Sequence, residues 1–120
     1  VLGICIGMQI MYEYSEEGDT QCLGIINGKI KKFKSEKNLT VPQMGWNKLV
    51  CHDDLKSLNG HYYYANSFYT DSKDSAIGFT EYGINYTSLV KKNNFIGCQF
   101  HPEKSSVNGE KFLQYFLTTT

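Results

Sequence analysis

Val1-Leu2-Gly3-Ile4-Cys5-Ile6-Gly7-Met8-Gln9-Ile10 changes pattern at its cysteine. Val1 to Ile4 is apolar and reads as the end of a buried strand, while Gly7 to Tyr14 fits a short helix that stops near Ser15 to Gly18. A cysteine between two glycines at such a junction has the form of a nucleophile elbow, where the backbone turns so sharply that only glycine fits on either side. The side chain is then held out at the sheet edge. The helix aims its N-terminal dipole and free N–H groups at the sulfur, which is expected to lower the thiol pKa and to bind a developing oxyanion near Ile6. The same pentapeptide also describes a tight turn around a buried cysteine.

A second element lies near the other end, in Gln99-Phe100-His101-Pro102-Glu103-Lys104-Ser105. Pro102 pushes His101 into an extended conformation, and residues two apart on an extended chain face the same way, so Glu103 can reach back to His101. A carboxylate on one imidazole nitrogen fixes the tautomer and leaves the other nitrogen free to take a proton from a thiol and return it to a leaving amine. Alone, the tripeptide also describes a loop after a strand. Together, the two elements sit at the C-terminal ends of apolar strands, where open α/β sheets place their sites. Cys5, His101 and Glu103 then supply nucleophile, base and orienter. His52 and His61 lack such a context and read as surface or packing residues.

Between these elements the chain is strand-rich. Lys29 to Phe33 alternates, Trp46 to Val50 follows Pro42 and Gly45, Tyr62 to Ala65 is aromatic, and Asn93-Asn94 marks a turn before the strand Phe95 to Phe100. Asn108 to Leu117 closes the chain as a helix, with Asn108 as N-cap and Phe112, Leu113, Phe116 and Leu117 on one face. No repeat or linker interrupts residues 1–120, which read as part of one domain.

At 120 residues and 41% apolar content the chain can bury a real core, and twelve basic residues balance twelve acidic ones. Nothing in that balance calls for nucleic acid or an anionic membrane as partner, and the cationic cluster Lys29 to Lys34 reads as a solvated strand face. No apolar run approaches the roughly 20 residues of a membrane span, and with no signal peptide evident a cytoplasmic location is expected. Cys5, Cys22, Cys51 and Cys98 are widely spaced, with no CxxC pair, which favours reduced thiols over a zinc site or disulfides. Apart from Cys5 they read as semi-buried hydrophobes.

Gly3-Ile4-Cys5-Ile6-Gly7-Met8-Gln9 and His101-Pro102-Glu103-Lys104-Ser105 resemble the two signature motifs of class I glutamine amidotransferases, in which the cysteine forms a thioester with glutamine and releases ammonia. Val41-Pro42-Gln43-Met44-Gly45-Trp46-Asn47 is similar to the segment marking one subfamily, the glutaminase subunits of imidazole glycerol phosphate synthase in histidine biosynthesis. The resemblance runs over the whole chain but starts at the nucleophile strand. It implies an α/β, flavodoxin-like three-layer fold whose N-terminal part, with a Gly-rich loop that contributes to the oxyanion hole, is missing, leaving a strand-rich C-terminal half. The nucleophile strand of such a sheet is expected to be central, with neighbours encoded upstream, so that residues 1–120 alone would aggregate or pack loosely and show no glutaminase activity.

The resemblance also implies residue roles. Gln9 and Ser67 match substrate-contacting positions, with Asn66-Ser67-Phe68 near the α-carboxylate of glutamine. Pro42, Met44, Trp46 and Asn47 match the face against an ammonia-accepting cyclase subunit in a heterodimer, and Lys104 matches a lysine that pairs with an acidic partner residue; burial of Trp46 in its own domain is the alternative. No metal or organic cofactor is implied. Gln43 and Asn66 stand where the subfamily usually has histidines, and Phe68 where tyrosine is common. These departures are expected at the substrate rim or partner face. They keep open a paralogue that supplies ammonia for amidation of a surface sugar, and, outside the enzymes, a non-catalytic docking relic, although a relic is expected to have lost part of Cys5, His101 and Glu103.

Overall fold

Burial alternates along Gln43–Cys51, a strand with Gln43, Leu49 and Cys51 on its inner face and Met44, Trp46 and Val50 towards solvent. The computed structural model describes residues 1–35 and 39–119. In chain order the elements are β1 (Leu2–Ile4), α1 (Ile6–Gln9), β2 (Tyr14–Ser15), β3 (Thr20–Gln21), β4 (Lys29–Lys32), β5 (Gln43–Cys51), β6 (Gly60–Asn66), β7 (Phe68–Tyr69), β8 (Ala76–Glu81), β9 (Asn85–Lys92), β10 (Phe95–Cys98) and α2 (Ser106–Thr119). Short 3-10 turns cover Asp53–Leu58 and Pro102–Lys104. One sheet is ordered β1-β10-β9-β8-β5-β6, and a second β3-β2-β4-β7.

β1 runs parallel to β10, its neighbour among the described residues, with Ile4 opposite Cys98. From β10 to β6 the first sheet is antiparallel. The parallel pair sets the site, because it ends two strands distant in sequence at the same level: the Cys5 amide donates to the Cys98 carbonyl at 2.8 Å.

The core behind that level is largely aromatic. Tyr62, Tyr64, Tyr86, Phe100 and Phe112 are each at most 1% exposed and pack with Leu49, Leu89 and Ile96. Phe100 sits 4.3 Å from Tyr62 and 5.1 Å from Phe112, ring centre to ring centre. Such pairs add about 0.5–1.5 kcal/mol each beyond their burial, so the residue before His101 is firmly anchored. Cys51 and Cys98 are buried free thiols and Cys22 is half-buried. Lys29 and Lys32, at the two ends of β4, are exposed, with Ile30 buried between them.

Three expectations are corrected here. The helix after Cys5 ends at Gln9 instead of Tyr14, because the Glu13 amide bonds the Gly28 carbonyl and Tyr14 pairs with Lys29. Asn108 does not cap α2, which starts at Ser106; its side-chain amide instead donates to the His61 carbonyl. Leu117, expected on the apolar face of α2, is 72% exposed, since that face meets the core only through Phe112, Leu113, Tyr115 and Phe116. No helix among the described residues is long and apolar enough to cross a membrane.

Candidate active site

Cys5 lies in the left-handed region, at φ 55° and ψ −106°. A non-glycine residue there carries strain of order 1–3 kcal/mol, which a fold retains only when its surroundings over-determine the geometry. The turn is tight on one side. A Cβ on Gly3 would lie 2.4 Å from the Gly7 carbonyl oxygen, whereas a Cβ on Gly7 meets nothing within 4 Å. The expectation that both flanks require glycine therefore holds for Gly3 and is corrected for Gly7, whose Cα faces open space. Gly97 lets α1 close onto β10, since a Cβ there would sit 2.9 Å from Met8 Cγ.

His101 is extended, at φ −102° and ψ 97°, and its Nδ1 lies 2.9 Å from Glu103 Oε2. The reach-back works through the 3-10 turn at Pro102–Lys104, so the carboxylate comes from a turn and not from a continuing strand. The His101 amide donates to the Tyr63 carbonyl at 2.8 Å, and the buried Ser105 hydroxyl donates to the His101 carbonyl at 2.6 Å while accepting from the Tyr63 amide at 2.9 Å. β6 thus fixes the loop. The imidazole is partly exposed and Glu103 is solvent-facing. His52 and His61 are both exposed and take no part in the His101–Glu103 pair.

Beside the thiol is a cavity of about 190 Å³ lined by Cys5, Ile6, Gln9, Glu17, Ala65, Asn66, Ser67 and Phe68. It is smaller than the roughly 300–1,000 Å³ of drug-sized pockets and suits a small substrate. Gln9 and Ser67, singled out from sequence, both line it. Glu17 adds a carboxylate that sequence reasoning missed, because in Glu16-Glu17-Gly18 it looks like ordinary surface. Gln99 was missed as well, although a polar residue in the apolar run Ile96 to Phe100 is a signal. Its Nε2 donates to Cys5 Sγ at 3.5 Å and its Oε1 accepts from Gln9 Nε2 at 3.1 Å.

A second polar cluster continues from the cavity wall. Gln43 and Asn66 are opposite one another on β5 and β6, at 2% and 3% exposure. Gln43 Nε2 donates to Asn66 Oδ1 at 3.0 Å and to the Tyr86 hydroxyl at 2.8 Å, and its Oε1 accepts from Asn47 Nδ2 at 2.8 Å. The expectation that these departures lie at the rim or partner face is corrected for Gln43, which is interior and bonds Asn66, whereas Asn66, though buried, and Phe68 both line the cavity. Gln43→Leu should destabilise by about 1–3 kcal/mol for each polar group it strands. A urea titration beside Asn66→Leu and the double variant should then give a coupling energy above about 0.5 kcal/mol.

Burial is the largest influence on the Cys5 thiol and pushes its pKa above the ordinary value; the Ile6 N–H and the Gln99 amide pull it down, and Glu103 and Glu17 push it up. The expected lowering by α1 is thereby corrected. A four-residue helix has little dipole to offer, and desolvation of the thiolate outweighs it.

Met44, at 68% exposure, and Trp46, at 53%, project from the outer face of β5 with exposed Pro42 nearby. Trp46 meets Tyr63 edge to face, and Lys104 Nζ lies 5.8 Å from the centre of the same ring. Asn47 turns inward, donating to Gln43 and to the Glu81 carbonyl.

The family model described as glutamine amidotransferase class-I matches residues 1–119. The chain is 44% identical over 128 residues to the imidazole glycerol phosphate synthase subunit HisH of Leptospira interrogans, covering 98% of this chain and 63% of that protein. It is 38% identical over 122 residues to the subunit HisH of Haemophilus influenzae, covering 98% and 61%. It is 42% identical over 123 residues to the subunit HisH 2 of Legionella pneumophila strain Paris, covering 98% and 62%. The chain thus spans 61 to 63% of the length of these relatives. A solved structure titled as a glutamine amidotransferase superposes with a TM-score of 0.68 at 16% identity, covering 98% of this chain and 58% of that one, a likeness of fold. With the family match running from the strained cysteine strand through α2, the chain belongs to the class-I glutamine amidotransferases.

Proposed function

We propose that this chain is the C-terminal part of a single glutaminase domain that releases ammonia from glutamine for the cyclase subunit of imidazole glycerol phosphate synthase. The observation that carries this is the strained Cys5 at the end of β1, on a parallel strand pair whose other member leads into the His101–Glu103 pair, with a small cavity beside the thiol. Cys5 attacks the side-chain carbonyl of glutamine while His101 takes its proton. His101 then protonates the departing ammonia, and water hydrolyses the thioester to glutamate. Because burial keeps the resting thiol protonated, His101 acts as a general base during attack, and catalytic hydrogen bonds of this kind tighten when substrate binds. The Ile6 N–H is one oxyanion donor. Gln9 and Ser67 contact the substrate, and the Glu17 carboxylate complements its α-ammonium group. These residues require no metal or cofactor for the reaction.

Glutamate release by the full-length protein with its synthase subunit tests the reading directly. Glu103→Gln should lower kcat by about 10²-fold or more with little change in KM, because it alters the charge and orientation of His101 and leaves the pocket intact. A change confined to KM would remove Glu103 from this role.

Met44, Trp46 and Lys104, with Pro42 beside them, form the face for the synthase subunit of a cytoplasmic heterodimer, and Asn47 braces that face from within. Trp46→Ala should weaken association by about 2 kcal/mol, roughly 30-fold in Kd, and Lys104→Glu should add to the loss mainly through the association rate. Calorimetric titration checks both, and unchanged affinity in both variants would place the docking face elsewhere.

A further inference from the structure

We infer that the Gln99 carboxamide is the donor that holds and stabilises the Cys5 thiolate, oriented for this by Gln9 and the Phe68 main-chain carbonyl. The inference deepens the proposed function, resting on its assignment of Cys5 as nucleophile.

The orientation of the two amides follows from one backbone group. The Phe68 carbonyl can only accept, so Gln9, 3.3 Å away, must present its Nε2. That same Nε2 lies 3.1 Å from Gln99, which must therefore offer Oε1 in return. The remaining end of the Gln99 amide is a donor, and it points at Cys5 Sγ, 3.5 Å away. Gln99 is 1% exposed and Gln9 5%, so water competes poorly for either amide. The Gln99 backbone is fixed too, its amide donating to the Ser88 carbonyl at 2.9 Å.

A thiol is a weak acceptor and a thiolate a strong one, so a fixed N–H donor favours the charged form. The need for such a donor is local. Sγ is largely buried, carboxylates at Glu17 and Glu103 oppose a second negative charge, and the Ile6 N–H is the other favourable contact. Once the thiolate has formed, the same donor holds it beside the cavity that Gln9 lines. A purely structural role would end at filling the strand interior and holding Gln9.

Two variants of the full-length protein, assayed with its synthase subunit, separate these roles. Gln99→Met keeps the length of the side chain and loses the donor; Gln99→Glu keeps an acceptor for Gln9 and also loses it. In Gln99→Met kcat at pH 7 should fall by about tenfold, with KM changed less than about twofold. Iodoacetamide alkylation of Cys5 at pH 8, read from the mass of its peptide, should slow by about threefold, since a tenfold loss of thiolate is partly offset by greater nucleophilicity. Gln99→Glu should lower kcat at least as far. Unchanged kcat and unchanged alkylation in Gln99→Met, with KM raised, would overturn the inference and leave Gln99 as a brace for Gln9. If Gln99→Met fails to fold, the same two measurements on Gln99→Glu decide, and unchanged kcat and alkylation there are equally fatal. Alkylation needs no glutamine. A parent that releases no glutamate but shows the Gln99 dependence would overturn the glutaminase reading alone, while an active parent without that dependence would overturn this inference alone.

Discussion

Cys5→Ala should reduce glutamine-dependent turnover of the full-length protein to background, a loss of about 10⁴-fold or more, while ammonia-dependent synthesis by the partner subunit continues. The substitution removes only Sγ. Its contacts in the fold are weak, an amide donor at 3.5 Å and the Ala65 carbonyl at 3.9 Å, so the elbow has little reason to relax. Alanine keeps the Cβ and with it the strain of φ 55°, and the melting temperature should stay within a few degrees of the parent. Parallel assays with glutamine and with ammonium salts, beside a thermal melt, separate chemistry from folding. Retained glutamine use in a folded Cys5→Ala protein would end the nucleophile assignment.

Gly109→Ala should be the most damaging single-methyl change in α2. A Cβ at this position would lie 1.9 Å from the Pro102 carbonyl oxygen and 3.1 Å from Ser105 Cβ, and the first of these is backbone that cannot rotate away. Either α2 or the His101-to-Ser105 loop must move. The loop is held by the Ser105 hydroxyl and by Tyr63, so the displacement carries His101 with it. Overpacking of this kind costs about 3 kcal/mol, which for a protein of the relatives' length lowers the melting temperature by about 6–12 °C. Glutaminase kcat should fall by about tenfold or more even at temperatures where the variant is folded, because small misplacements of a base are costly. Calorimetry and steady-state kinetics check the two effects. A melting temperature and kcat both equal to the parent's would mean that α2 sits further from the loop than this packing requires.

Much of the local geometry was legible in the residues themselves. Gly3 and Cys5 announced the elbow because a strained turn admits few side chains, and Pro102 announced an extended His101 because its ring forbids helical geometry before it. Pro42 and Gly45 ahead of Trp46 to Val50, and the aromatic run in β6, marked their strands for similarly local reasons. Wherever the deciding partner was distant in sequence, local reasoning failed. The short end of α1 is set by Gly28 and Lys29, and the thiol pKa by burial that no window around Cys5 contains. Gln43 and Asn66 looked like two separate departures until the β5–β6 register put them opposite each other. Gln99 met Cys5 only because β1 and β10 pair in parallel, aligning residues more than ninety positions apart. Backbone strain and proline sterics are properties of a few adjacent residues and are written in their order. Hydrogen-bond satisfaction and desolvation depend on which surfaces the folded chain brings together, and tertiary packing alone decided those.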